Sequence, residues 1–129
     1  NPEAVELLYE NRKKFALTNL EIIAGTAPEA LEDLPAPTHV FIGGSSGKME
    51  EVIALCLKKN PETRFVVNLI TPESLAAVLE AVKTLPVTEP DLLTLTAVRS
   101  KKVGSSHLMM GQNPVWIVTF EGKICVSRM

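Results

Sequence analysis

The run His39-Val40-Phe41-Ile42 leads directly into Gly43-Gly44-Ser45-Ser46-Gly47, and this junction most constrains what the chain can fold into. A short run of β-branched and aromatic residues favours a strand, and glycines let the backbone turn at positive φ without steric cost. Met49, Val52, Ile53, Cys56 and Leu57 then recur at helical spacing, which predicts a helix over 48–59. Strand, glycine loop and helix form the repeating unit of an open α/β sheet, where ligands bind outside the carboxyl ends of the strands. The loop is therefore the first candidate site. Its free N–H groups can approach a ligand closely, and the following helix presents its positive end. A tight turn explains one such glycine; three glycines and two serines in five residues exceed that need.

The rest of the chain extends the pattern. Asn1-Pro2-Glu3 has the cap and first-turn proline of a helix over residues 2–17. Leu20 to Ile23 reads as a short strand closed by Gly25, and Pro28-Glu29 opens a brief helical turn. Pro35-Ala36-Pro37 forces an extended connection. His39 to Ile42 reads as a buried strand, and Arg64 to Ile70 as another. Thr71-Pro72-Glu73 starts a helix that runs to about Thr84. Leu92 to Val98 and Val115 to Phe120 read as strands separated by a polar, irregular 99–113, and Glu121-Gly122 turns the chain back into Lys123 to Val126. The expected fold is one α/β domain over residues 1–129: a mostly parallel sheet, helices on both faces, and an antiparallel pair at one edge.

Composition removes several function classes. Of 129 residues, 46% are apolar and 22% charged, as in a globular domain, and the net charge of -2 leaves no footprint for nucleic acid. Apolar runs stop well short of the ~18 residues of a membrane span. The first residues are polar and acidic rather than leader-like, so the expected location is cytoplasmic. Cys56, Cys125, His39 and His107 do not have the spacing of a metal site, and none is assigned.

Nucleotide-triphosphate chemistry fails a direct test. A P-loop needs Gly where Ile42 stands and Ser or Thr where Met49 stands, and the dinucleotide fingerprint is absent too. Gly25-Thr26-Ala27 and Asn68 to Thr71 close two further strands at the same rim. Asn68 within an apolar strand is either a satisfied structural amide or a ligand contact. In the long segment from Gly104 to Pro114, His107 is either a solvated residue or a general base, and Met109 and Met110 either fill a gap or face an apolar ligand. No nucleophile triad or carboxylate pair stands out, and no residue is assigned as catalytic.

These loops carry a resemblance. Asn1 to Leu7, Gly25-Thr26-Ala27-Pro28-Glu29-Ala30-Leu31, Phe41-Ile42-Gly43-Gly44-Ser45-Ser46-Gly47, Asn68-Leu69-Ile70-Thr71 and Gln112-Asn113-Pro114-Val115 resemble consecutive segments of one family. It is the decarboxylating precorrin-6Y C(5,15)-methyltransferase family of corrin biosynthesis, including its separate decarboxylase-methyltransferase subunits. The resemblance implies a Rossmann-like class I methyltransferase sheet in the order 3-2-1-4-5-7-6. It implies S-adenosylmethionine as cofactor and a precorrin tetrapyrrole as substrate, with methylation of a ring carbon and loss of carbon dioxide from an acetate side chain. Position by position, Gly25, Thr26 and Ala27 would lie beside the adenine, and Gly43 and Gly44 beside the methionine end. Ser45, Ser46, Gly47, Asn68, His107, Met110 and Asn113 would border the tetrapyrrole.

Two departures qualify the match. The family's first strand with its glycine-rich motif, and its second strand with the ribose-binding acid, have no counterpart in this sequence. The chain is therefore expected to be the distal part of such a domain, impaired in isolation, and to associate as a homo-oligomer through the exposed edge of Leu20–Ile23. Thr26 stands where the family would have an aspartate, one charge-assisted hydrogen bond fewer, worth about 1.5–3 kcal/mol. The competing expectation is a non-catalytic α/β binding module whose glycine loop holds an anion or nucleotide.

Overall fold

A computed structural model describes residues 1–44 and 47–124, which divide into two compact units, 1–34 and 35–129. In the first unit, helix α1 spans Pro2–Lys14, and the Asn1 side chain accepts a hydrogen bond from the Glu3 N–H at 3.0 Å. The helix ends three residues earlier than its pattern predicts, because Ala16 takes a positive φ of 48°. Leu20–Ile23 forms no strand. Its composition suits an extended chain, but a strand exists only through a partner ladder, and no described residue supplies one. A single 3-10 turn, Glu29–Leu31, follows a cis Ala27–Pro28 bond.

The second unit holds a four-stranded sheet and a separate two-stranded one. In chain order its elements are β1 (His39–Gly43), α2 (Met49–Lys59), β2 (Arg64–Leu69), α3 (Pro72–Thr84), β3 (Asp91–Leu95), β4 (Val98–Val103), β5 (Ser106–Gly111) and β6 (Val115–Glu121). The larger sheet runs β1-β2-β6-β3, and β4 pairs only with β5. β1 and β2 are parallel, whereas β6 is antiparallel to both β2 and β3. This is the 4-5-7-6 half of the sheet order that the resemblance implies, with the β4–β5 ribbon inserted before the last strand.

The core lies between β2, β6 and the two helices. Phe65, Val67 and Leu69 of β2 and Val118 and Phe120 of β6 are buried against Met49, Ile53, Cys56 and Leu57 of α2 and Val78 of α3. Phe65 and Phe120 are register partners, and their rings stack with centroids 5.1 Å apart. Such a pair adds about 0.5–1.5 kcal/mol beyond the area it buries. Both crossovers step the same way across the sheet, so right-handed connections place α2 and α3 on one face. Consequently β1 is not a buried strand. Val40 and Ile42 turn to the core, while Phe41, on the other face, is 66% exposed.

Three further expectations change. The stretch from Leu92 to Val98 is divided between β3 and β4, and the irregular 99–113 is a regular hairpin, turned by Gly104 at a φ of 62°. Serines, lysines and a histidine obscured its period. After β6 the chain does not fold back: Gly122 bridges Val87, and the Lys123 N–H donates to the Pro86 carbonyl at 2.8 Å. Cys125 and Val126 lie outside the described residues.

Gly122 is held where nothing larger fits. Its N–H donates to the Thr63 carbonyl at 2.9 Å, and an added Cβ would overlap the Pro61 carbonyl oxygen. Thr63 is fully buried, with its hydroxyl donating to the Asn60 carbonyl at 2.6 Å. Gly122→Ala is therefore expected to cost about 1–3 kcal/mol in urea unfolding, as overpacking does; an unchanged midpoint would contradict this packing. Burial pushes the Cys56 thiol above its ordinary pKa, with Lys59 pulling weakly the other way. Peptide mapping after iodoacetamide treatment at neutral pH should find Cys56 unmodified in folded protein and modified in denaturant.

Candidate functional site

Because β6 runs against β1, β2 and β3, its first residue meets their last residues at one rim of the sheet. There a depression of about 530 Å³ is lined by Gly43, Gly44, Asn68, Leu69, Ile70, Thr71, Ser74 and Val115. Its size suits a small-molecule site. Each wall has a local cause. Gly44 ends β1 at a φ of 107°, and a Cβ there would meet nothing within 4 Å, so its backbone faces open space. Gly43 permits a close approach of another kind: a Cβ would stand 2.9 Å from the Phe41 ring, which leans over it.

The opposite wall is the junction of β2 and α3. Thr71 caps α3, accepting from the Ser74 N–H at 3.2 Å, and its hydroxyl donates to the Ser74 hydroxyl at 2.8 Å. Both hydroxyls are thus engaged in holding the helix start. Asn68 differs. It is half-buried beside Gly43 and Ile117, and its amide makes no hydrogen bond to a described residue. Leu69, Ile70 and Val115 make the remaining surface apolar, and Ile70 is largely exposed. One uncommitted amide, an open glycine backbone and an apolar floor can orient a ligand; they cannot act as nucleophile or base.

The structure thus brings together Gly43, Gly44 and Asn68 from the sequence-predicted set. Gly47, at a φ of 87°, lies just before α2, and Ser45 and Ser46 fall outside the described residues. His107 and Met110 sit on β5 and Asn113 on the link to β6; all three are exposed and none lines the depression. Gly25, Thr26 and Ala27 belong to the first unit, where Gly25 packs against Ala30 and the Ala30 N–H donates to the Thr26 carbonyl at 3.0 Å. Sequence reasoning missed Leu69, Ile70, Thr71, Ser74 and Val115 as lining residues. The signal was present, since the Thr71-Pro72 cap marks where β2 must end. Among the described residues no group of His, Cys, Asp and Glu is arranged to hold a metal ion, and no helix is long and apolar enough to cross a membrane.

Asn68→Ala should leave unfolding free energy within about 0.5 kcal/mol of wild type, because no internal bond is lost. Gly44→Ala should destabilise by about 1 kcal/mol or more, since alanine resists that φ. Equal effects of the two in chemical denaturation would contradict this division of roles.

Residues 1–121 match the family model of the precorrin methyltransferase domain. A probable cobalt-precorrin-6B C(15)-methyltransferase (decarboxylating) of Sulfolobus acidocaldarius is 31% identical, over 95% of this chain and 64% of its own length. The crystal structure of a precorrin-6y C5,15-methyltransferase from Geobacter metallireducens superposes with a TM-score of 0.82 at 30% identity, over 94% of this chain and 64% of that one. A precorrin 8w decarboxylase from Methanobacterium thermoautotrophicum gives 0.81 at 26% identity, over 92% of this chain and 64% of that one. The chain spans about three fifths of the length of the curated relatives it matches.

Proposed function

The chain belongs to the precorrin methyltransferase domain family, and from that premise we propose that it forms the substrate-side half of a decarboxylating methyltransferase site. The reaction is methylation of a ring carbon of a cobalt-precorrin, with loss of carbon dioxide from an acetate side chain, as part of cobalamin biosynthesis. The observation that carries the reading is the rim depression, where Gly44 offers open backbone beside the uncommitted amide of Asn68. The Sulfolobus protein is named as a probable decarboxylating cobalt-precorrin methyltransferase, and the Geobacter protein as a precorrin-6y C5,15-methyltransferase.

The residues fit S-adenosylmethionine in the chemistry they offer: bare backbone at Gly43 and Gly44 for a polar amino-acid end. When bound, S-adenosylmethionine supplies an electrophilic methyl group on a sulfonium. Gly44, with open space at its Cα, would then let the main chain beside Gly43 close on the donor's methionine end. Asn68 would fix the orientation of the tetrapyrrole through one of its carboxylates or ring N–H groups. Leu69, Ile70 and Val115 would exclude water from the ring face. Methyl transfer of this kind needs in-line placement more than a protein nucleophile, and positioning alone can lower a barrier by about 7–11 kcal/mol. That accords with a depression in which no acid or base occurs among the described lining residues.

Gly25, Thr26 and Ala27 are assigned to the adenine, and Ser45, Ser46, Gly47, His107, Met110 and Asn113 to the tetrapyrrole, on the family resemblance. We also propose that the protein is cytoplasmic and a homo-oligomer. The alternative of a non-catalytic binding module has no counterpart among the relatives named above.

Calorimetry with S-adenosylmethionine, on this chain and on a protein of its relatives' length that carries it, tests the proposal. Tight binding is expected only in the longer protein, weakened at least tenfold by Gly44→Ala. Equal binding to both, or binding to neither, would overturn it.

A further inference from the structure

The proposed reaction expels a carboxylate as carbon dioxide, and the rim depression has a lining suited to a carboxylate that is to be lost. None of its described lining residues is charged. Lysine and arginine are the strong partners of a carboxylate that a protein keeps. The chain has 13 of these cations, and none is among the described lining residues. The polar side chains there are Asn68, Thr71 and Ser74, beside the apolar Leu69, Ile70 and Val115.

Asn68 and Ser74 each keep a donor in reserve. The Asn68 amide bonds to no described residue. Thr71 Oγ1 accepts the Ser74 N–H at 3.2 Å, and its hydroxyl donates to Ser74 Oγ at 2.8 Å. Each hydroxyl carries one proton and the bond between them uses one, so one is left over. With Thr71 donating, the spare proton belongs to Ser74. Serine and threonine in a helix often return that proton to a carbonyl of the preceding turn. Thr84, at the other end of α3, does so toward the Ala81 carbonyl at 3.0 Å. Ser74 makes no such bond to a described residue.

We propose that the leaving carboxylate of the substrate's acetate arm seats in this depression, accepting hydrogen bonds from the Ser74 hydroxyl and the Asn68 amide. On the decarboxylating reading proposed above, on which this inference rests, Ser74 thus joins Asn68 in contact with the substrate. Loss of carbon dioxide breaks the bond between the acetate methylene and its carboxylate carbon. The bonding pair passes into the conjugated ring and returns to the methylene carbon with a proton from water, leaving a methyl group. Negative charge drains from the carboxylate as the bond breaks, so a group that stabilises that charge at the start opposes the step. A lysine or arginine would do so with about twice the strength of a neutral donor. The hydroxyl and the amide fix the carboxylate's position instead. Leu69, Ile70 and Val115 strip water from it without supplying a counter-charge.

The test uses a protein of the relatives' length carrying this sequence, with cobalt-precorrin-6B, for which the Sulfolobus protein is named. Corrinoid affinity is measured without S-adenosylmethionine, and the single-turnover rate of carbon dioxide release with it. Ser74→Ala removes the hydroxyl but keeps the backbone N–H that Thr71 accepts, so its circular dichroism should match wild type. Release should slow about tenfold, as for one lost hydrogen bond, and Ser74→Thr should recover most of it. Ser74→Lys is the sharper variant. It should bind the corrinoid as tightly as wild type or more so, yet release carbon dioxide about tenfold more slowly or worse. A merely structural serine would not separate the two readouts. A wild type that releases no carbon dioxide would overturn the decarboxylating reading and this inference with it. Release undiminished in Ser74→Ala or Ser74→Lys, or affinity and release falling together in Ser74→Lys, would overturn this inference alone.

Discussion

The antiparallel ladder between β2 and β6 is the constraint on which the rest of the second unit depends. It sets Phe65 on Phe120 in the middle of the core, and it reverses the last strand against its neighbours. That reversal brings Val115 to the rim where β1 and β2 end, where it lines the same depression as Leu69, Ile70 and Gly43. An all-parallel sheet would send the start of its last strand to the opposite rim. The depression exists because one strand runs the wrong way.

The same reversal explains the ribbon. A chain leaving β3 at the rim and entering β6 at the same rim needs only a short link, as in a hairpin. Residues 96–114 are longer than that need, and the excess is folded into β4 and β5 rather than left as a loop. Both strands are exposed, and β4 carries the ribbon's lysines and arginine while β5 carries none.

Much of this was legible in the residues. The caps at Asn1 and Thr71, the strand at Phe65 to Leu69 and the helix of Met49, Ile53 and Leu57 were marked by capping chemistry and by period, and both are local. The family was legible from the glycine-serine loop taken with four other segments. What failed was non-local. Leu20 to Ile23 has strand-like residues, yet pairing depends on a neighbour that a local pattern does not reveal. Phe41 looked buried because it stands between Val40 and Ile42, but a strand covered on one face exposes every second side chain. The ribbon was hidden because neither of its faces is consistently apolar, so alternation gave no signal. In the site, Asn68 stood out as an amide in an apolar run. Ile70 and Val115 did not, because an aliphatic residue at a strand end looks the same whether it lines a pocket or closes a core.

The central claim is that the rim formed by Gly43, Gly44 and Asn68 to Thr71 is the surface on which methyl donor and tetrapyrrole meet. Amide hydrogen exchange, on a protein of the relatives' length carrying this sequence, tests it most directly. Adding S-adenosylmethionine should slow exchange at Gly43 and Gly44, and adding the corrinoid substrate should extend the protection to Asn68 through Thr71. Protection confined to segments away from this rim, with these amides unchanged, would contradict the account.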